Sequence, residues 1–385
     1  MLILWNLLER CIDISNKFST ESKGNLTIKI SSITSYTYPN FIVILVGLLL
    51  TICPVDSRAL EVAKYGGDYI GGVGVRGLSM GGANTAAVND VSAGYWNPAR
   101  MHLAAHKTLG IMHTESFGGT VNFDYAAMRV PMETLNLGVT LIRTGVDEIP
   151  NTLRALRDYG KDGVPNTGDQ GEGNGVFDTF SDGTSERLDE SAITFFNSSQ
   201  YDLIVTYSES YSDKLALGAS FKLHGKSIHE ESAVGLGFDV GASYRWKPWL
   251  QFGVLARNAT TTLLAWSTGR MEVYKPEIRI GTAGNINIPP LRMQIVPTAD
   301  LIYYTDGRRL NSLGHLFGAS FQYAAGLEFT FSENLALRFG RSSIEEFTTG
   351  VAFSLGKARI EYGFSPSGAR AELGDSHRLG LLWRF

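Results

Sequence analysis

The chain has 385 residues with 43 glycines, 20 phenylalanines and 16 tyrosines, and only 19% of it is charged, against about 25% in an ordinary soluble protein. Its formal net charge of −4 excludes the basic face or stripe on which nucleic-acid binding depends. The length admits two ordinary domains or one large all-β domain, and the joint excess of glycine and aromatics favours a membrane β-barrel.

Residues 1–59 read as an N-terminal extension and signal peptide. The apolar run Phe41–Cys53 is followed by Pro54 and by Ser57-Arg58-Ala59. A spanning helix needs roughly 20 apolar residues, so this shorter run before a small-x-Ala site reads as a secretory h-region with its cleavage site. Export and a mature start at Leu60 are expected. Residues 1–35 have no counterpart in an ordinary signal peptide and the nearest basic residue is Lys29, which points to an over-extended start. Leu50-Thr51-Ile52-Cys53 resembles a lipoprotein signal, but the bulky Ile52 argues against lipidation. Both cysteines, Cys11 and Cys53, precede the cleavage site, which removes disulfide, zinc–thiolate and thiol-nucleophile chemistry from the mature chain.

Residues 60–106 form the second unit, a hatch or plug. Its stretch Gly66–Ala104 is crowded with glycine and small residues and runs into Trp96-Asn97-Pro98-Ala99. Gly72-Val-Gly74-Val-Arg-Gly77 satisfies G-x-G-x-x-G, but dinucleotide binding needs a strand before it, a helix after it and a βαβ unit around it. None follows. His102 and His106 are four apart without a third ligand nearby, so they read as a surface pair and not as a metal site.

From Lys107 to Phe385 the pattern is alternation. Leu135, Leu137, Val139 and Leu141 share one face while Asn136, Gly138, Thr140 and Ile142 take the other, the period of a strand. Strands are predicted at 107–117, 120–131, 134–144, 200–210, 213–225, 232–247, 248–258, 273–283, 291–304, 314–331, 333–341, 346–355, 357–365 and 375–385. About ten residues suffice for a tilted strand to cross a bilayer, and an even number of strands closes a bacterial outer-membrane barrel. Connections after the even strands are tight, for example Ser212-Asp213 and Gly356-Lys357, whereas Thr260–Glu272, Asp306–Leu313 and Pro366–Gly374 are long. That is the asymmetry of periplasmic turns and extracellular loops. Leu379, Leu381, Trp383 and Phe385 point one way in the last strand, the ending by which such barrels are recognised for assembly. The fold class predicted is therefore all-β, a transmembrane antiparallel barrel of about 14 strands with the hatch inside.

The longest connection, 145–199, should lie outside the cell. Asp162, Asp169, Glu172, Asn174 and Asp178 cluster there among glycines, groups that suit Ca²⁺, although the spacing misses the EF-hand register. Two readings stay open, a structural Ca²⁺ site and a solvated acidic loop, with the second preferred; no other cofactor is expected. Charges at lumen parity, Arg338, Arg359 and Glu361, read as lumen lining or as partners of the plug. No G-x-S-x-G or other catalytic set appears, so the protein is read as a non-enzyme.

Arg76-Gly77-Leu-Ser-Met80-Gly81-Gly82-Ala83, then Asn89-Asp90-Val-Ser-Ala93, Tyr95-Trp96-Asn97-Pro98-Ala99 and the closing Gly374-Asp-Ser-His377-Arg378-Leu379 carry a resemblance to the PorV/PorQ family, a branch of the FadL-like outer-membrane barrels. Arg100 departs from it, standing where the family generally has a small residue. The resemblance covers residues 66–385 and places Asn97-Pro98-Ala99 near the functional core of a hatch. It implies an outer-membrane protein acting in type IX secretion or surface attachment, with outer-membrane lipids, exported cargo proteins or other secretion components as partners. The alternative it implies is a FadL-like transporter of long-chain fatty acids or other hydrophobic small molecules.

Overall fold

The computed structural model describes residues 72–385 apart from 104–106, 132–135, 153, 308–311, 317–318, 345–346 and 367–373. The signal peptide, the expected cleavage site, His106 and the Met132-Glu133 turn lie outside the described residues.

Fourteen positions close an antiparallel barrel. They are β1 Thr108–Ser116, β2 Val121–Pro131, β3 Asn136–Asn151, β4 Thr194–Ser210, β5 Leu215–Ile228 and β6 Glu231–Lys247. The seventh, β7, comes in two segments, Leu250–Arg257 and Thr262–Trp266, and β8 in three, Met271–Tyr274, Glu277–Gly284 and Ile286–Ile288. The last six are β9 Met293–Tyr304, β10 Ala319–Phe331, β11 Leu335–Ser342, β12 Thr348–Leu355, β13 Ala358–Ser365 and β14 Ser376–Arg384. Each pairs with the next, and β14 returns to β1 with Thr108 opposite Arg384 and Glu115 opposite His377. Closure satisfies every edge, which a backbone surrounded by lipid requires.

All fourteen predicted strands appear, with several corrected bounds. β3 and β4 run on together to Asn151 and from Thr194, so the long loop spans only 152–193. Polar residues there no longer alternate because both faces of the ribbon are outside the membrane. The expected loop at 260–272 is largely strand: Thr262–Trp266 pairs with Met271–Tyr274 and with β6 after a break at Asn258–Thr261, where Asn258 and Thr261 adopt positive φ. The expected strand at 314–331 is a short segment, Gly314–Leu316, folded on the start of β10. Between β5 and β6 only His229 and Glu230 intervene, a tight turn where a longer loop is predicted.

Alternation sorts the side chains. Val139, Leu141, Val205, Leu217, Phe221, Val234 and Leu236 face outward and are exposed, whereas Thr140, Asp202, Thr206, Ser208, Ser220, Lys222 and Asp239 point inward and are buried. At the short-turn end the outer surface carries Tyr211, Tyr244, Trp246, Trp249, Trp383 and Phe385, and Lys247 Nζ lies 5.0 Å and 5.5 Å from the Trp246 and Trp249 rings. An apolar band with an aromatic girdle is how a barrel sits in the outer membrane.

Candidate functional site

Residues 72–103 lie inside the barrel toward its short-turn end. They form a short helix α1 (Val75–Ser79), a turn of helix α2 (Ala93–Trp96) and the 3₁₀ segment Pro98–Leu103. Such short helices are marginal by themselves, so the surrounding wall fixes them. Val73, Val75, Leu78, Val88, Val91, Tyr95, Trp96 and Met101 pack with the inward Met112, Phe123, Tyr125, Ile142 and Ile204 in one buried cluster. Trp96 Nε1 donates to the Val73 carbonyl at 2.7 Å, tying the two ends of this segment together.

Wall glycines set how near the segment comes. A β-carbon on Gly340 would fall on the Met80 and Gly81 backbone, on Gly218 on Pro98 and Ala99, on Gly241 on Asn97, and on Gly253 on Thr85. Gly326, Gly350, Gly363, Gly380, Gly110 and Gly138 meet hatch atoms in the same way, at Met80, Ser79, Val75, Val91 and Met101. Gly281 faces Thr85 and Ala86, and the hatch thereby meets every position of the wall. Gly81 is itself constrained: its φ is 66° and a side chain there would lie 2.6 Å from the Arg341 backbone, a conformation and a space that only glycine accepts readily.

Polar clasps complete the seat. Arg76, on α1, meets Glu328 of β10 at 2.9 Å, and Glu328 is held on its other oxygen by Arg338 of β11 at 2.6 Å. Arg338 continues to Glu361 at 2.9 Å, and Arg359 joins Glu361 at 3.1 Å. A second relay lies nearby on β7 and β8, two strands along the wall from Glu328. Arg257 and Arg279 share Glu277, Arg257 donates to the Tyr95 carbonyl at 3.2 Å with its guanidinium 4.2 Å from the Tyr95 ring, and Arg279 donates to the Gly82 carbonyl at 3.3 Å. Asp300 of β9 accepts from the Asn84 and Thr85 amides at 3.1 Å and 3.0 Å and from the Thr85 hydroxyl at 2.7 Å. Pairing and hydrogen bonding offset the desolvation cost of these buried charges.

The motif residues named from sequence are brought together here. Gly77 lies against the Trp96 indole and Asn84, Met80 is fully buried, and Gly82 packs on Trp96. Asn97 donates to the Thr85 carbonyl at 2.9 Å and to the Ala242 carbonyl of β6 at 3.1 Å, and accepts from the Ala99 amide at 3.1 Å. One amide therefore joins two stretches of hatch and the wall. Pro98 and Ala99 fill the space left by Gly218 and Gly241, and the Ala99 carbonyl accepts from Ser208. Arg100 is buried, donating to the Val88 carbonyl, Ser243 and Gln251, which accounts for a long cation where a small residue is expected. Burial first, then the like charges of Arg76 and Arg245, push its guanidinium down. In an Asn97→Leu variant the loss of three buried hydrogen bonds, at about 1–3 kcal/mol for each group left unsatisfied, is expected to loosen the hatch while the barrel still assembles. Unchanged protease resistance of residues 72–103 alongside normal heat-modifiable migration would contradict this.

Leu379, Trp383 and Phe385 face outward as expected, with Leu381 partly covered on the same face of β14. In the acidic loop the carboxylates bond to neighbouring groups of the loop itself. Asp162 accepts from the Val164 amide, Asp169 from the Asp162 amide, Glu172 from the Asn166 and Gly168 amides, and Asp178 from the Asn174 side chain. No three His, Cys, Asp or Glu side chains gather as a metal site among the described residues. The Arg157 hydrogen bond, with help from Ser191, holds the Asp189 carboxyl at about 2, and the Gly175 amide leads the lowering at Asp158.

Sequence reasoning singled out Arg338, Arg359 and Glu361 but passed over Glu328, Glu277, Arg257, Arg279 and Asp300. Their signal was available: each stands at lumen parity in its strand, as Glu328 does between Leu327 and Phe329. A further inward pair, Lys222 with Asp239 at 2.9 Å, and the His224–Asp202 contact beside it also went unread. Outward from these, Ala233, Leu264 and Tyr274 point inward from β6, β7 and β8 and pack as a small, fully buried apolar cluster, with Trp266 against it.

No protein-family model matches the chain, and no curated protein matches it. Among solved structures it is similar to the Pseudomonas putida toluene transporter TodX, with a TM-score of 0.55 and 12% identity over 82% of this chain and 99% of that one. A second crystal structure of TodX gives 0.51 and 13% identity over 81% and 97%. The Ralstonia pickettii toluene transporter TbuX gives 0.49 and 12% identity over 82% and 99%. At such identities the likeness is one of fold. The protein is a closed fourteen-stranded outer-membrane β-barrel that shares its fold with TodX. This supports the FadL-like half of the sequence resemblance and is silent on PorV/PorQ.

Proposed function

We propose that the barrel passes hydrophobic small molecules across the outer membrane, with the hatch as the element that closes the lumen. The feature that supports this reading is the hatch, whose apolar residues pack against the whole wall, inside a barrel whose inner side also holds the small buried apolar cluster of Ala233, Leu264 and Tyr274. The fold shared with TodX supports the same reading. The secretion role implied by the PorV/PorQ motifs draws no support from that likeness, so passage of hydrophobic compounds replaces it as the leading reading.

The test is uptake of a labelled long-chain fatty acid and of a labelled monoaromatic hydrocarbon by cells with and without the protein. Uptake of at least one should fall on deletion and return with the intact copy. Unaltered uptake of both, together with a changed profile of exported proteins, would return the argument to secretion.

A further inference from the structure

Beneath the 3₁₀ segment, at the short-turn end of β4 to β7, the structure has a hollow of about 490 Å³ lined by Arg100, Ser243, Gln251, Arg245 and the β4–β5 turn with Asp213 and Lys214. This end carries the short turns and so faces the periplasm. Its charge is unbalanced. Arg100, Lys214 and Arg245 bring three cations, and Asp213 is the one carboxylate among the lining residues. None of the three forms an ion pair among the described residues, in contrast to Arg76, Arg257, Arg279 and Arg338, which are all paired with glutamates.

Arg100 makes the contrast sharper because it is 3% exposed. Its Nε donates to the Val88 carbonyl at 2.6 Å and its Nη1 to Ser243 at 2.9 Å and Gln251 at 3.2 Å, all neutral acceptors. Its Nη2 has no protein acceptor among the described residues. A buried cation with a donor to spare, at a cavity rimmed by two more cations, is arranged to receive negative charge. The volume is that of a small-molecule site, and Leu215 and Ala216 add apolar wall to it.

We propose that this hollow is an oxyanion site open to the periplasm, taking a carboxylate or phosphate group on Arg100 Nη2 with Arg245 and Lys214 closing over it. The site lies at the periplasmic end, below the hatch, so it stands or falls independently of hydrocarbon passage. The charge could arrive on an organic acid or ester or as free phosphate, and the probes separate these sources.

The experiment is calorimetric titration of the purified full-length barrel in neutral detergent with benzoate, phenyl phosphate, inorganic phosphate and, as an uncharged control, benzyl alcohol. At least one anion should bind, and benzyl alcohol should not. Phenyl phosphate binding more tightly than inorganic phosphate would assign an organic ligand; equal binding would assign the free anion. The exposed Arg245→Gln and Lys214→Gln changes should each weaken binding about tenfold or more, leaving heat-modifiable migration and hydrocarbon uptake as in the unaltered protein. Absence of binding by every anion overturns the proposal, as does equal affinity in the Arg245→Gln/Lys214→Gln double variant.

Discussion

Replacing Glu328 by alanine is expected to unseat the hatch while the barrel still forms. Glu328 is the shared anion between Arg76 on the hatch and Arg338 on the wall, and its side chain is only 6% exposed. Removing it leaves the buried Arg76 and Arg338 guanidinium groups without their shared anion, and Glu361 is already joined to Arg338 and Arg359. Breaking a buried pair by deleting one partner typically costs about 3–5 kcal/mol, because the orphaned charge stays desolvated. The attachment of residues 72–103 bears that cost, since the wall strands keep their own ladder. The measurements are limited proteolysis of the purified protein and entry of a large antibiotic into cells, both of which should rise. A second variant separates charge from packing: Arg76→Leu combined with Glu328→Leu removes both members, and apolar replacement of a whole buried pair is commonly near neutral. The double variant should recover much of the protease resistance. If the single variant is as resistant as the unaltered protein, the relay does not hold the hatch.

Gly340→Val is expected to have an effect of similar size by steric means. The β-carbon would fall on the Met80 and Gly81 backbone and near the Thr348 hydroxyl, which accepts from the Gly81 amide at 3.0 Å and donates to the Ser79 carbonyl at 3.0 Å. A flexible side chain can move aside; hatch backbone seated this closely cannot. Overpacking of a dense interior typically costs about 1–3 kcal/mol, and here it acts where two backbones touch. The hatch should shift away from β11, which increases leakage of hydrophilic solutes through the barrel in reconstituted vesicles. Gly356→Val serves as the control, because nothing lies within 4 Å of a β-carbon there, although its φ of 58° adds local strain at the turn. Equal leakage in both variants would refute a role for wall glycines in seating the hatch.

The clasp explains why its halves were so unequally legible. Arg76 stood out because it sits in a dense run of glycines, and Arg338 because it interrupts Leu337 and Phe339. That the two meet on Glu328, 252 positions along the chain from Arg76, follows only from closing the barrel. The same holds for Asn97, whose motif marked it as central but whose partners, Thr85 and Ala242, are set by how the hatch turns back on itself inside the wall. The unpaired Arg100 beneath them looked like a departure from a pattern, and only its surroundings give it a use.

Alternation along each strand by itself determined the number of strands, their lipid and lumen faces, the ends carrying turns and loops, and hence the class of fold, because a pleated strand crossing a bilayer has two faces and nothing else to choose between. The chain also announced in its glycines that something packs closely. Which glycine meets which hatch residue, which charges are paired and which are left over, and where strand pairing resumes after Asn258 were decided by the tertiary structure. Those are contacts between residues far apart in sequence, and no local period records them.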